Sequence, residues 1–228
     1  MNSSESSDEG GRPYHHGDLR NALVDAAATL AEEGGPDAVT IRAAARAVGV
    51  TPTATYRHFA NQADLLHAAK HEAMDRLAGT ILDLLASEKP APHPAEAAVQ
   101  RLAAAGRGYI RFALAQPGLF RTAFLRPHSG DAHPSTEISA ILAEAPPYAF
   151  LTTVLDDLRA AGWLAPELRP DAETAAWAAV HGLAVLLVDG PYGDCPDTER
   201  DRLINATLGM VVRGLSGGPA SDAPLNAE

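Results

Sequence analysis

The stretch TIRAAARAVGVTPTATYRHF, residues 40–59, contains two helix-start signals in close succession. Thr40 and Thr51 are each placed to cap a helix, because a threonine oxygen can accept a free backbone N–H of the first turn. Pro52 strengthens the second signal, since proline already has helical φ and its missing donor costs nothing at that position. These signals predict two short helices, the first beginning after Thr40 and the second covering 52–59.

Gly49 separates the two helices and is expected to adopt positive φ, with Val50 as an apolar plug beneath the turn. Upstream, helical spacing of apolar residues from Asp18 to a Gly-Gly-Pro stop that starts at Gly34 predicts a longer supporting helix. Two short helices joined by a glycine-containing turn have the dimensions of a helix-turn-helix, whose second helix can enter a DNA major groove.

A long helix is predicted directly after this motif, over residues 62–86. Asn61 and Asp64 have capping-box-like spacing at its start, and the segment SEKPAPHP at 87–94 ends it. Its apolar stripe consists of Leu66, Ala69, Ala73, Leu77, Ile81 and Leu84.

The rest of the chain has helical periodicity and no convincing strand pattern. Further helices are predicted near 95–115, 118–125, 135–144, 147–161, 171–188 and 197–215. The fold class is therefore all-α. The predicted organisation is a disordered arm over 1–11, a helix-turn-helix domain over 12–62, a larger helical domain over 63–216 and a flexible tail over 217–228.

The composition of the 228 residues is globular, with 46% hydrophobic residues and a formal net charge of −11. The one cysteine, Cys195, excludes an intramolecular disulfide and a multi-cysteine zinc site. No run of 18 apolar residues and no signal-peptide pattern is present, so we expect a cytoplasmic protein without a membrane partner.

Basic residues are concentrated in the helix-turn-helix segment. Between Ala38 and Gln62 the chain carries Arg42, Arg46, Arg57 and a histidine but no acid, whereas residues 71–228 hold 12 bases against 20 acids. A basic patch on an acidic body favours one orientation on DNA, because the remaining surface is repelled by phosphate.

The run from Thr40 to Leu65 resembles the N-terminal DNA-binding domain of TetR-family transcriptional regulators, with the Gly49-Val50-Thr51 turn and the Tyr-Arg-His-Phe signature at 56–59 in register. GRPYHHGDLR at 11–20 is similar to the entry into the first helix in one branch of that family. Trp177 with His181-Gly182 resembles the motif that names the WHG-type C-terminal domain of that branch.

Four positions depart from the family pattern, which usually has a glycine near position 53, an aliphatic residue at 55, a lysine at 62 and a larger aliphatic residue at 44. Here they are Thr53, Thr55, Gln62 and Ala44. The absence of the lysine removes one phosphate contact, and Thr55 and Ala44 thin the packing beneath the second helix.

The resemblance implies a set of DNA contacts. Hydroxyl and imidazole groups of Thr40, Tyr56 and His58 would hold phosphates, while exposed residues of the second helix would lie near base edges or the backbone. For Tyr56 a core role is an equal alternative, and for Phe59 it is the favoured one. The expected DNA-binding residues are Arg12, which could reach a minor groove, and Thr40, Arg42, Thr51, Pro52, Thr53, Tyr56, Arg57 and His58.

The resemblance also implies a homodimer paired through the helices at 171–188 and 197–215, a palindromic operator and a small-molecule effector that releases a repressor from DNA. His181 needs a hydrogen-bonding partner in its apolar helix, which could be a backbone carbonyl, an internal water or the effector. The candidate pocket residues are Tyr109, Phe112, Phe120, Phe124, Tyr148, Phe150, Trp177 and His181.

An enzyme and a helical small-molecule carrier are the two alternatives to a regulator. Asp156-Asp157 lacks the further carboxylate of a metal-dependent diphosphate site, and His67 and His71 have chelating spacing but no evident third ligand. We therefore predict no enzyme activity, no metal and no cofactor. A helical carrier of small molecules that has lost operator binding is the remaining alternative, because three positions of the DNA-binding segment are weakened.

Overall fold

The computed structural model describes residues 16–124 and 145–216, and these parts are helical without strands. This confirms the all-α fold class. The helices are α1 (His16–Gly34), α2 (Ile41–Val48), α3 (Pro52–Thr55), α4 (Gln62–Ser87), α5 (Pro94–Ala115), α6 (Pro117–Phe124), α7 (Pro146–Ala160), α8 (Ala172–Val188) and α9 (Asp197–Leu215). Arg12, the arm 1–11, the predicted helix 135–144 and the tail 217–228 lie outside the described residues.

Local capping forms the helix-turn-helix as its sequence predicts. Thr40 Oγ1 accepts the Ala43 N–H at 3.1 Å, and Thr51 Oγ1 accepts the Ala54 N–H at 3.2 Å. Gly49 has φ 77°, a left-handed conformation that costs glycine little and other residues more. The first turn of each helix thus has a donor satisfied by its own cap.

Helix α3 is shorter than the sequence predicts, ending at Thr55 rather than at residue 59. Residues 56–58 continue as a tight turn, in which the Arg57 N–H donates to the Ala54 carbonyl at 3.3 Å and the His58 N–H donates to the Thr55 carbonyl at 2.9 Å. Bonds over three residues wind the chain more tightly than an α-helix does.

The core beneath this motif is formed by α1, α2 and α4. Phe59 is 2% exposed and packs with Leu23, Val39 and Leu65, which confirms its favoured role as a core residue. Tyr56, three residues earlier, is 56% exposed, so its ring is not a core element. Burying the Phe59 ring removes a large apolar area from water, and this stabilises the core.

Helix α4 is continuous for 26 residues, about 39 Å at 1.5 Å per residue. Asn61 Oδ1 accepts the Asp64 N–H at 2.9 Å, as predicted, but the Asp64 carboxylate accepts from Ala60 rather than from Asn61. The buried side of α4 carries Leu65 at its start and Ile81 near its end, so one helix contributes to the core of both parts of the chain.

Helix α6 contacts α1 at backbone distance. A Cβ added to Gly118 would collide with the Ala31 carbonyl oxygen and lie 2.6 Å from the Glu32 carbonyl oxygen. Only glycine permits this approach, since those atoms are backbone and have little room to move. The last turn of α1 is therefore fixed directly against α6.

Substitution of Thr55 tests the packing beneath α3. Its Oγ1 is fully buried and has no hydrogen-bond partner within the described residues. We expect Thr55→Val to raise the free energy of unfolding by about 1 kcal/mol, because the substitution removes an unpaired buried hydroxyl and preserves the shape of the side chain. Urea denaturation followed by circular dichroism measures this change.

The matched control is Thr40→Val, which removes a hydroxyl that caps α2. We expect this variant to lose about 1 kcal/mol. A loss of stability in Thr55→Val comparable to that of the control would show that the Thr55 hydroxyl has a partner after all.

Candidate nucleic-acid interface and internal cavity

The outward face of α3 is open to solvent. Pro52, Thr53, Tyr56 and Arg57 are all exposed, and Tyr56 presents its phenol hydroxyl from the turn that follows the helix. A short helix held on a compact core with its polar groups outward has the shape that a major groove admits.

The arginines of this segment are not neutralised by carboxylates in the described structure. Arg42, Arg46 and Arg57 are exposed and form no ion pair within the described residues. On the body, by contrast, many guanidinium groups are neutralised by carboxylates. These paired arginines are Arg76, Arg101, Arg121, Arg169, Arg200 and Arg202. The helix-turn-helix therefore keeps its positive charge available to an external anion such as phosphate.

Two of the predicted contact residues act first as caps. The hydroxyl oxygens of Thr40 and Thr51 accept backbone N–H groups, so each hydroxyl still has its own proton to donate. Thr51 is exposed and Thr40 is half-buried. One side chain can thus both cap the start of a helix and donate to a phosphate oxygen.

His58 lies at the edge of the motif rather than on its outermost face. It is half-buried and borders a concavity between α1 and α4. Next to it the Arg20 guanidinium lies 5.3 Å from the centre of the Phe59 ring, a cation–π contact that joins α1 to the turn. Sequence reasoning did not include Arg20, because only the folded turn brings Phe59 beneath it.

A second candidate site is a partly open cavity of about 70 Å³ between α4, α5, α6, α7, α8 and α9. Four of the predicted pocket residues line it, namely Tyr109, Phe124, Tyr148 and Trp177. The other lining residues of the described chain are Met74, Leu77, Ile81, Leu102, Ala103, Ala105, Gly106, Ala145, Pro147, Leu151, Ala176, Val180, Leu208, Val211 and Val212.

The other predicted pocket residues lie beside the cavity. Phe112 and Phe120 are buried in the core, at 1% and 2% exposure, and Phe150 is half-buried between the two parts of the core. His181 packs against the aromatic rings, with ring centres 4.9 Å from Phe124 and 5.5 Å from Phe120. Contact of any of these residues with a ligand stays a prediction.

A chain of hydrogen bonds runs beside the cavity. The Trp177 Nε1–H donates to Tyr109 Oη at 3.2 Å, and Tyr109 Oη lies 2.7 Å from His181 Nδ1. Burial raises the pKa of the Tyr109 hydroxyl far above its usual value and lowers the pKa of His181. Both groups are therefore neutral near pH 7, with Tyr109 able to donate its proton to His181. The partner of His181 is thus a tyrosine side chain, which sequence reasoning did not consider.

The residues that could point to an enzyme form other contacts. Asp157 pairs with Arg101 at 2.9 Å and links α7 to α5, while Asp156 pairs with Arg169 at 2.8 Å and links α7 to the loop before α8. His67 Nε2 lies 2.9 Å from His71 Nε2, but the described residues contain no group of three or more metal-ligating side chains.

Together, the fold and the open basic face define a helix-turn-helix DNA-binding protein with a helical partner domain. Family comparison refines this class. Residues 23–69 match the family described as bacterial regulatory proteins, tetR family, and residues 102–211 match the family described as tetracyclin repressor-like, C-terminal domain. These matches cover more than two thirds of the chain, which belongs to the TetR family of transcriptional regulators and is not an enzyme.

Known proteins agree with this assignment. An uncharacterised HTH-type transcriptional regulator of Mycobacterium tuberculosis is 29% identical over 205 residues, covering 89% of this chain and 86% of that protein. A protein of unknown function from Rhodococcus sp. RHA1 has a similar structure, with a TM-score of 0.69, 27% identity and coverage of 90% and 100%. FadR from Bacillus subtilis, solved with stearoyl-CoA, shares the fold at a TM-score of 0.64, with 18% identity and coverage of 85% and 98%.

None of the helices in the described residues is both long enough and apolar enough to span a membrane.

Proposed function

We propose that this regulator is a cytoplasmic homodimeric repressor that binds a palindromic operator and leaves it when a small molecule enters the helical domain. The observation that carries DNA binding is the cluster of Arg42, Arg46 and Arg57, exposed, without an ion pair among the described residues and in a segment without acids, on an acidic protein. Supporting the WHG-type branch, Trp177 and His181 lie one helical turn apart in α8 and face the same aromatic cluster.

The proposed DNA contacts follow from side-chain chemistry. Arg57 and Arg42 can each fork onto a guanine or a phosphate, and Thr53 and Pro52 can touch a thymine methyl group. Hydroxyl and imidazole groups supply backbone contacts that fix the orientation of α3. These backbone contacts come from Thr40, Thr51, Tyr56 and His58, and we propose that Arg12 enters the adjacent minor groove.

Pairing of two chains is supported by the exposed face of α8. Ala175, Ala178, Gly182 and Val185 follow one another at steps of three and four residues on the solvent side, and the face is uncharged. On α9, Met210 is 66% exposed. Small residues let two helices approach closely, and a two-fold axis would present two α3 helices to one duplex, whose half-sites lie about 34 Å or a multiple of it apart, so the operator must be symmetric.

The proposed release mechanism uses contacts already described between the two parts of the chain. Phe124 of α6 lines the cavity, while Gly118 of the same helix presses on the last turn of α1. Met74, Leu77 and Ile81 of α4 form another wall of the cavity. A ligand that moves either wall alters the position of the helix-turn-helix, and it shifts the protein away from DNA if it prefers that conformation by several kcal/mol. The stearoyl-CoA bound by FadR supports a small-molecule effector in this fold.

Substitution of Arg57 tests the DNA interface. We expect Arg57→Ala to weaken binding to a selected operator by about 1–3 kcal/mol and to reduce the slope of log affinity against log salt by about 1, if the guanidinium contacts phosphate. Fluorescence anisotropy over a salt series measures both quantities. The control is Arg159→Ala, which removes another exposed arginine, on α7. Equal affinities of the two variants would place the DNA-binding surface elsewhere.

Substitution of Gly182 tests the pairing surface. A Cβ at this position would meet no atom of its own chain within 4 Å in the described structure, so Gly182→Leu leaves the subunit intact and obstructs a partner helix. We expect the variant to have the mass of one chain in analytical ultracentrifugation, and to lose most of its operator affinity. The control Ala160→Leu, which changes an exposed residue at the end of α7, should remain dimeric. A dimeric Gly182→Leu would refute pairing through this face.

A further inference from the structure

Two histidines near the start of α4 direct ring nitrogens at the same point. His67 Nε2 lies 2.9 Å from His71 Nε2, and the rings meet edge to face with their centres 4.4 Å apart. Residues four apart lie on the same face of an α-helix, so the backbone itself holds the two rings together. We infer that this pair chelates a divalent transition metal, with Cu²⁺ preferred to Ni²⁺ and Ni²⁺ preferred to Zn²⁺. The site goes beyond the proposed function and does not depend on it.

The distance between the two nitrogens indicates which geometry a bound ion would have. A metal about 2.0–2.1 Å from both atoms would hold them at an angle of roughly 90°, as neighbouring ligands of a square-planar or octahedral ion are held. Tetrahedral Zn²⁺ would need the nitrogens about 3.3 Å apart. Square-planar nitrogen sites are typical of Cu²⁺ and Ni²⁺, and Cu²⁺ has the highest affinity among the divalent ions of the first transition row.

Protonation of the pair is compatible with metal binding near neutral pH. Neutral imidazole is the main form of an ordinary histidine at pH 7.5. Burial, and after it the neighbouring His71, lowers the pKa of His67, so this ring stays neutral to lower pH. In the metal-free pair one Nε2–H donates to the other Nε2. Metal binding needs a lone pair on both Nε2 atoms, so the donor ring moves its proton to Nδ1 and no net proton is released.

The surroundings of the pair favour a cation. Both histidines line the concavity between α1 and α4, whose described lining contains four carboxylates and one guanidinium. These charged residues are Asp25, Asp64, Glu72, Asp75 and Arg20. An excess of negative charge raises the local concentration of a cation. The described residues contain no group of three or more metal-ligating side chains, so water completes the coordination at these two exposed rings. The sequence predicts no metal for this reason, because a third ligand is not evident in it.

Titration of the full-length protein with Cu²⁺, Ni²⁺ and Zn²⁺ tests the site, by calorimetry at pH 7.5 without DNA. We expect affinity to fall in that order. His67→Gln and His71→Gln should each weaken Cu²⁺ binding by about 100-fold, since either change converts a chelate into a single ligand. The double variant should bind little more weakly than either single variant, because the second histidine contributes only as part of the pair. The control is His93→Gln, which removes an exposed histidine before α5 and should leave the affinity unchanged.

Three results would overturn the assignment. These are a Cu²⁺ affinity that either single variant leaves unchanged, losses that multiply in the double variant, and Zn²⁺ binding more tightly than Ni²⁺. Circular dichroism of each variant checks that the helices are intact, which we expect because both side chains are exposed. Electron paramagnetic resonance at one equivalent of Cu²⁺ gives an independent readout, since coupling to two imidazole nitrogens should be present in the parent and absent from both single variants.

Discussion

The continuous packing of α4 is the constraint on which the rest of the structure depends. Leu65, at its start, is fully buried in the core that supports α3, and Leu77 and Ile81, further along, form a wall of the cavity. An α-helix transmits displacement along its axis because each residue is hydrogen-bonded to the next turn. Within the described residues no turn interrupts α4, so its two ends move together.

The distribution of charge determines which surface of the protein faces DNA. Several arginines of the body are held by carboxylates, as in the pair of Arg121 with Asp189, although Arg111, Arg159 and Arg213 are exposed without an ion pair in the described structure. The arginines of α2 and of the turn after α3 have no such partners in the described structure. On a chain with a net charge of −11, an unpaired basic surface is attracted to a polyanion while the rest is repelled. The same asymmetry disfavours every other docking orientation.

Short-range features of the fold could be predicted from the sequence, because they depend on chemistry within one helical turn. The caps at Thr40, Thr51 and Asn61 and the left-handed Gly49 are of this kind. The end of α3 at Thr55 could not be predicted, since the residues after it continue a helical pattern and only tight-turn bonding separates them from the helix.

Contacts between residues far apart along the chain could not be predicted from the sequence for a different reason. His181 lies 72 positions from Tyr109, and Gly118 of α6 meets carbonyl groups of α1, from which α2 to α5 separate it along the chain. Periodicity assigns a residue to the buried face of a helix, but it does not say which gap between helices stays open. Phe112 and Tyr109 both belong to the buried face of α5, yet only Tyr109 of the two lines the cavity.

The central claim is that two copies of α3, held on one symmetric dimer, bind one duplex. Selection of bound duplexes from a random pool by the full-length protein, followed by sequencing, tests it most directly. The account predicts enrichment of an inverted repeat whose half-sites are centred about one helical turn of DNA, or a multiple of it, apart. Enrichment of sequences without two-fold symmetry, or no enrichment at low salt, would contradict it.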